Sequence, residues 1–136
     1  MERNFDGIDK ALKDGCRLLM LSTSPFNKVR DVQLRSKGSL VISVGAPDLI
    51  TAMNGASEMY LSGQTGYFKG NSGNSTPTDK VDAWVLAQQE VHGKYKDGTV
   101  CLEAISIHTD EAEASANGAT FQEAYSSLDS SLRQRH

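Results

Sequence analysis

One short segment of the sequence concentrates side chains that can bind an anion. Residues 22–30 read Ser-Thr-Ser-Pro-Phe-Asn-Lys-Val-Arg and supply hydroxyls, an amide, two cations and an aromatic ring. Hydroxyl and cationic groups bind phosphate strongly, and an aromatic ring can stack on a nucleobase. We predict that this loop binds a small anionic, nucleotide-like ligand, although a solvated loop between strands has the same composition. The predicted ligand-binding residues are Ser22, Thr23, Ser24, Phe26, Asn27, Lys28 and Arg30.

The motifs that typify enzymes and metal sites do not occur in the sequence. It has no phosphate-binding glycine loop, no Cys-x-x-Cys pair, no zinc-protease motif and no nucleophile elbow. His92 and His108 fall on predicted strands at unequal distances from the turn between them, which disfavours a metal pair. Cys16 and Cys101 lie in apolar runs, as small buried hydrophobic residues do. We therefore predict a non-catalytic protein without a metal or cofactor.

The charge of the chain is nearly balanced overall but uneven along its length. The 136 residues include 14 basic and 17 acidic side chains, a balance that disfavours nucleic acid as a partner. Residues 1–44 are rich in Lys and Arg, whereas residues 97–123 contain neither. This polarity favours a homo-oligomer, with a small anionic ligand or a protein as partner. The absence of a signal peptide or a membrane-spanning stretch predicts a cytoplasmic protein without membrane contact.

Two strand-to-helix corners organise the predicted fold. Thr120 and Glu123 form a T-x-x-E capping box, and Asp48 takes the same capping position in the first half of the chain. Gly55 weakens the helix that follows Asp48 and indicates a close approach to a neighbouring element. An apolar stripe at helical spacing follows each cap. The stripes are Leu49, Ala52, Met53, Ala56 and Tyr60, and Phe121, Ala124, Tyr125, Leu128 and Leu132.

The segments before these corners also match in order, which predicts an internal duplication. Each half reads as a helix, three strands and a helix, and the Asp97-Gly98 pair is a strong hairpin signal in the second half. The halves are residues 1–61 and 79–136, joined by a Gly/Ser-rich linker loop at 62–78. We predict one compact α+β domain, with an antiparallel sheet and helices packed on one face. Any two capped amphipathic helices share part of this likeness, so chance similarity is the alternative to duplication.

Two aromatic residues interrupt the predicted linker. Tyr67 and Phe68 stand among Gly, Ser, Thr and Asn residues. Aromatic side chains in such a segment either dock back on the domain or stay exposed for a partner. We name both as candidate partner-binding residues.

The second corner, Gly118-Ala119-Thr120-Phe121-Gln122-Glu123-Ala124, resembles the corner in HicB-like antitoxin domains. The core of those domains is a small antiparallel sheet followed by such a helix, and the resemblance implies a small intracellular protein that binds a protein partner. Our first hypothesis is a non-catalytic protein that sequesters an anionic ligand or blocks a partner, as accessory or counter-defence proteins of phages and mobile elements do. The alternative is a HicB-like antitoxin or regulator that acts by protein–protein contact.

Overall fold

The computed structural model describes residues 4–22, 29–69 and 89–135 of the chain. All the helices in these ranges lie on one face of a single seven-stranded sheet, which confirms the predicted α+β class. The elements are α1 (Asp6–Lys13), β1 (Arg17–Ser22), β2 (Arg30–Ser36), β3 (Ser39–Ala46), α2 (Leu49–Leu61), β4 (Gly66–Lys69), β5 (Gln89–Lys96), β6 (Thr99–Ser106), β7 (Ala112–Gly118) and α3 (Phe121–Arg135). No helix in the described ranges is long and apolar enough to cross a lipid bilayer.

The strand order across the sheet is β4-β3-β2-β1-β5-β6-β7. Two antiparallel meanders, β1-β2-β3 and β5-β6-β7, meet where β1 pairs antiparallel with β5. Strand β4 adds in parallel to β3, so the sheet is mixed and the prediction of a purely antiparallel sheet is wrong at this edge. The physical reason is α2, which crosses over the sheet between β3 and β4 and returns the chain in the same direction. The strand Gly66–Lys69 also falls inside the range that was predicted as a linker.

Both halves contain a three-stranded meander followed by a helix. These units are β1-β2-β3-α2 and β5-β6-β7-α3. The predicted opening helix of the second half falls largely outside the described residues. The internal duplication therefore stays a prediction.

The hydrophobic core lies between the helices and one face of the sheet. All the apolar residues of the α3 stripe are buried, as are four of the five in α2, while Tyr60 is half-buried. The rings of Phe5 and Phe121 meet edge to face, with centroids 5.5 Å apart, and Phe5 meets Tyr125 at 5.6 Å. Phe5, which precedes α1, therefore packs against Phe121 and Tyr125 in the first turns of α3 at one end of the core.

Both predicted caps form. The Asp48 carboxylate accepts a hydrogen bond from the Thr51 backbone N–H at 2.8 Å. The Thr120 hydroxyl accepts from the Glu123 N–H at 3.2 Å, and the Glu123 carboxylate accepts from the N–H of Ala119 at 3.1 Å. The capping box therefore reaches one residue further back than its sequence pattern predicts, because Ala119 rather than Thr120 presents its N–H.

Close backbone approaches hold the helices together and on the sheet. A Cβ atom at Gly7 in α1 would lie 1.8 Å from the carbonyl oxygen of Ser57 in α2, and the Gly7 N–H donates to the Ser57 hydroxyl at 2.6 Å. A Cβ atom at Gly55 would lie 3.1 Å from Cγ1 of Val44 in β3. Gly55 therefore marks the close approach that its position in the helix predicts.

Candidate functional site

The described residues of the predicted anion loop lie side by side but do not form an open site. Ser22 and Arg30 are direct cross-strand partners in β1 and β2. The side chain of Arg30 is on the helix side of the sheet, with Val32, and the residue is only 1% exposed. The remaining predicted ligand-binding residues lie outside the described part of the chain; they are Thr23, Ser24, Phe26, Asn27 and Lys28.

The two candidate partner-binding residues lie on β4, at one edge of the sheet. Tyr67 is 68% exposed and Phe68 is 41% exposed. They point to opposite faces, since Tyr67 pairs with Ser43 and Phe68 with Val44 on neighbouring strand β3. Both side chains are therefore exposed, and partner binding by them stays a prediction.

The histidines are separated, and one of them is not on a strand. His92 lies on β5 as predicted, opposite Glu103, with its Nε2 atom 3.2 Å from the Glu90 carboxylate. The prediction that His108 lies on a strand is wrong, because β6 ends at Ser106, whose hydroxyl accepts from the His108 N–H at 3.2 Å in the turn. Within the described ranges, no group of His, Cys, Asp and Glu residues has the arrangement to hold a metal ion.

The face of the sheet opposite the helices is open over β1, β5, β6 and β7, and we call this part the uncovered face; towards β3 the same face is buried, with Asp31 and Ser43 only 3% and 1% exposed. No helix in the described residues covers the open part, and it contains a groove of about 490 Å³. Cys101 lines the groove and is half-buried, so the prediction that both cysteines are buried is correct only for Cys16. The groove lining includes the side chains of Arg17, His92, Lys94, Cys101, Glu103 and Asn117.

Three cations stand side by side on neighbouring strands at one end of this face. Arg17 in β1 is directly opposite Arg35 in β2. On its other side, the pairing of Leu18 with Gly93 places Lys94 of β5 beside Arg17. Like charges directly opposite each other in an antiparallel pair are destabilising. We call Arg35, Arg17 and Lys94 the cation row.

The cation row has no ion-pair partner among the described residues. Arg35 Nε donates a hydrogen bond to Gln33 Oε1 at 3.1 Å, and Gln33 Nε2 donates to the Asp31 carboxylate at 2.6 Å. Each pair of neighbouring charges repels by on the order of 1 kcal/mol in a water-exposed setting. A bound anion removes this repulsion.

Further charges lie at the same end of the sheet. Lys96 follows on β5 and Lys37 occupies the turn between β2 and β3, while Asp97 lies in the turn between β5 and β6. Asp14 is nearby in the chain but is bound elsewhere, because it accepts a hydrogen bond from the Tyr60 hydroxyl at 2.7 Å. The local balance is therefore positive.

The groups with shifted pKa values lie beside α1, outside the groove. The Tyr60 hydroxyl, followed by the Lys10 ammonium, lowers the pKa of Asp14 below its ordinary value. The same hydrogen bond raises the pKa of Tyr60, and burial raises the pKa of the Cys16 thiol. The hydrogen bond between Tyr60 and Asp14 links α2 to the end of α1.

The helix side carries a cleft of the opposite charge. It has a volume of about 660 Å³, and its acidic lining residues are Asp6, Asp9 and Glu58. Asp9 is already engaged, by Lys13 at 3.0 Å and by the N–H of Phe121 at 2.9 Å. The protein therefore presents a cationic groove on one side of the sheet and an acidic cleft on the other.

Comparison of the chain with known protein families, with curated proteins and with solved structures finds no match. The resemblance to HicB-like antitoxin domains therefore rests on one corner alone.

Sequence reasoning missed the cation row because its members come from three strands. The only short-range signal is the Asp97-Gly98 turn, which fixes Lys94 opposite Cys101 in the hairpin. Nothing in the local sequence indicates that β1 pairs with β5. That pairing is what brings Arg17 beside Lys94.

Proposed function

We propose that this chain is a non-catalytic binding protein that holds a small anionic ligand in the groove on the uncovered face of the sheet. The observation that supports the proposal is the cation row, Arg35, Arg17 and Lys94, which no carboxylate of the described chain neutralises. The class of ligand is the one predicted from sequence. The proposed surface is the groove rather than the predicted loop, of whose predicted ligand-binding residues the structure describes only Ser22 and the buried Arg30.

The spacing of the cation row suits a ligand with more than one anionic group. Neighbouring strands are about 4.8 Å apart, so the row spans roughly 10 Å across β2, β1 and β5. Arginine binds phosphate or carboxylate through two parallel hydrogen bonds, and lysine adds a compact charge. A diphosphate or triphosphate chain lying across the strands can contact all three side chains.

The groove favours binding over turnover. The Cys101 thiol donates only a long contact of 3.9 Å to the Thr99 carbonyl, and His92 contacts Glu90 rather than a nucleophile. No nucleophile and base are hydrogen-bonded to each other among the described groove residues. Sequestration of the ligand is the activity that this chemistry supports.

The test is calorimetric titration of the chain with inorganic triphosphate at low and high salt. We expect the Arg17→Gln variant to lose at least about tenfold in affinity, since it removes the centre of the cation row. The matched control is Lys13→Gln, which removes the same charge from α1, on the other side of the sheet. Equal losses in both variants, or no binding by the wild-type chain, would refute the proposal.

Cys101 provides an independent readout of the same site. Its thiol lines the groove and is half-buried, whereas Cys16 is buried. Bound triphosphate should therefore slow alkylation of Cys101 and leave Cys16 unchanged. Protection that persists in Arg17→Gln would show that the anion lies elsewhere.

A second candidate function is contact with a protein partner at the β4 edge. The observation that favours it is the exposure of Tyr67 and Phe68 on the last strand of the described sheet. An exposed edge strand can pair with an extended segment of another chain. A pull-down that recovers a stoichiometric partner with the wild-type chain, and loses it with Tyr67→Ala/Phe68→Ala, supports this function; equal recovery with both argues against it.

A further inference from the structure

The groove lining includes an unpaired carboxylate as well as Arg17 and Lys94 of the cation row. Glu103 lines the groove, is exposed, and makes no ion pair or hydrogen bond with another described residue. A carboxylate in an anion site weakens the binding of a simple anion, since like charges repel. The groove therefore suits a ligand that is anionic at one end and donates hydrogen bonds at the other.

The distance between the two features is set by the strands. Lys94 belongs to the cation row and pairs with Cys101 of β6. Glu103 is two residues further along β6. Residues two apart on a strand face the same side and are about 7 Å apart. The anionic end of the ligand and the end that donates hydrogen bonds are therefore separated by about 7 Å.

A flat side chain of the groove lies beside Glu103. His92 in β5 lines the groove and is directly opposite Glu103 in β6, whereas Leu19 of β1 lies on the far side of His92 and outside the groove lining. Nucleobases stack on aromatic side chains, including histidine. The row therefore offers a stacking surface next to a hydrogen-bond acceptor, which is the environment that a flat heterocycle requires.

We infer, on the basis of the anion binding proposed above, that the ligand is a guanine nucleotide. Its phosphates lie on the cation row, its base stacks on the His92 ring, and its N1–H and 2-amino groups donate to the Glu103 carboxylate. The groove volume of about 490 Å³ is in the range of small-molecule sites.

The choice of guanine follows from the acceptor-only character of an ionised carboxylate. Guanine presents two adjacent N–H donors on one edge, and both can bond to the two oxygens of Glu103. Adenine and cytosine present one donor beside an acceptor nitrogen, which a carboxylate repels. Uracil presents a single N–H between two carbonyl acceptors.

The experiment compares the binding of GDP, IDP, ADP and inorganic pyrophosphate to the wild-type chain and to Glu103→Gln by calorimetry. We expect GDP to bind at least about tenfold more tightly than ADP or pyrophosphate, because hydrogen bonds to a charged acceptor are strong. IDP lacks the 2-amino group and should bind with intermediate affinity. The matched control is Glu111→Gln, which removes an exposed carboxylate outside the groove lining.

The sign of the Glu103→Gln effect is the decisive result. The substitution should weaken GDP binding and strengthen pyrophosphate binding, because it removes an acceptor and also a repulsive charge. If all four ligands bind equally and all weaken in Arg17→Gln, the anion site stands and the guanine assignment is overturned. If none of the four ligands binds, the proposed function fails together with the assignment.

Discussion

Strand β1 contributes side chains to both faces of the sheet, and the two faces differ there in burial and in charge. Leu18, on the helix side, is 2% exposed and packs in the core, whereas its neighbour Arg17 is exposed on the other face beside two like charges. On the helix side, burial and hydrogen bonding stabilise the fold. On the uncovered face, the cation row destabilises it. The contrast is one of burial against exposed like charge, and it is the basis of the ligand site that we propose.

The largest effect is expected from the core. Phe121→Ala should lower the free energy of unfolding by about 3–5 kcal/mol, because it removes a fully buried ring that contacts Phe5. The check is urea denaturation followed by circular dichroism, with half-buried Leu19→Ala on the other face as control. A loss for Phe121→Ala no greater than that for Leu19→Ala would contradict the division between the faces.

The next effect concerns two glycines that both face close neighbours. Gly7→Ala should cost about 1–3 kcal/mol or more, because the added methyl group meets the Ser57 backbone at 1.8 Å. Gly55→Ala should be nearly neutral, since its methyl group meets only a side chain, that of Val44, at 3.1 Å, and alanine favours the helix by roughly 1 kcal/mol. Comparable losses in the two variants, measured by thermal unfolding, would show that the α1–α2 contact is not specially tight.

A smaller effect of opposite sign is expected on the uncovered face. Arg17→Gln should raise the free energy of unfolding by about 0.5–1 kcal/mol at low salt, since it removes repulsion from Arg35 and Lys94. High salt should reduce this gain because it screens the charges. A loss of stability at low salt, or a gain that does not depend on salt, would mean that the row is compensated by the protein itself.

The smallest effect is a pH dependence at the end of α1. The pKa of Asp14 is lowered in the folded chain, first by the Tyr60 hydroxyl and then by Lys10. The unfolded chain therefore takes up the proton at higher pH. The resulting stabilisation is fully present above the ordinary Asp value of 3.8 and is lost as the pH falls through the lower folded value.

Tyr60→Phe removes the main cause of that shift. The difference in stability between the wild-type chain and this variant should shrink from neutral pH to about pH 2.5, as measured by urea unfolding. Glu111→Gln, an exposed residue far along the chain, serves as the control for general acid effects. A difference that stays constant over this range would show that the Tyr60 hydroxyl is not what lowers the pKa of Asp14.

Local features of the fold were predictable because they depend on neighbouring residues. The Asp48 and Thr120 caps form, the apolar stripe of α3 is buried, and Asp97-Gly98 closes a hairpin between β5 and β6. Strand β4 was not predicted, since its parallel pairing depends on the path of α2 over the sheet. A linker composition does not reveal such a pairing.

The proposed anion site uses cations that the sequence contains but does not place. Residues 1–44 are rich in Lys and Arg, yet Arg30 is buried whereas Arg17 is exposed and Arg35 is half-buried. Which cation points to which face depends on the register of β1 against β2, and a shift of one residue reverses it.

By itself, the sequence determined the helices of the described ranges, their caps, the strands other than β4 and the apolar stripes, because propensity and periodicity act over a few neighbouring residues. Tertiary structure alone decided that β1 pairs with β5 and that Arg35, Arg17 and Lys94 form one row. The physical reason is that strand pairing joins backbone groups that are distant in the chain. The order and register of the strands follow from the packing of the whole sheet against its helices.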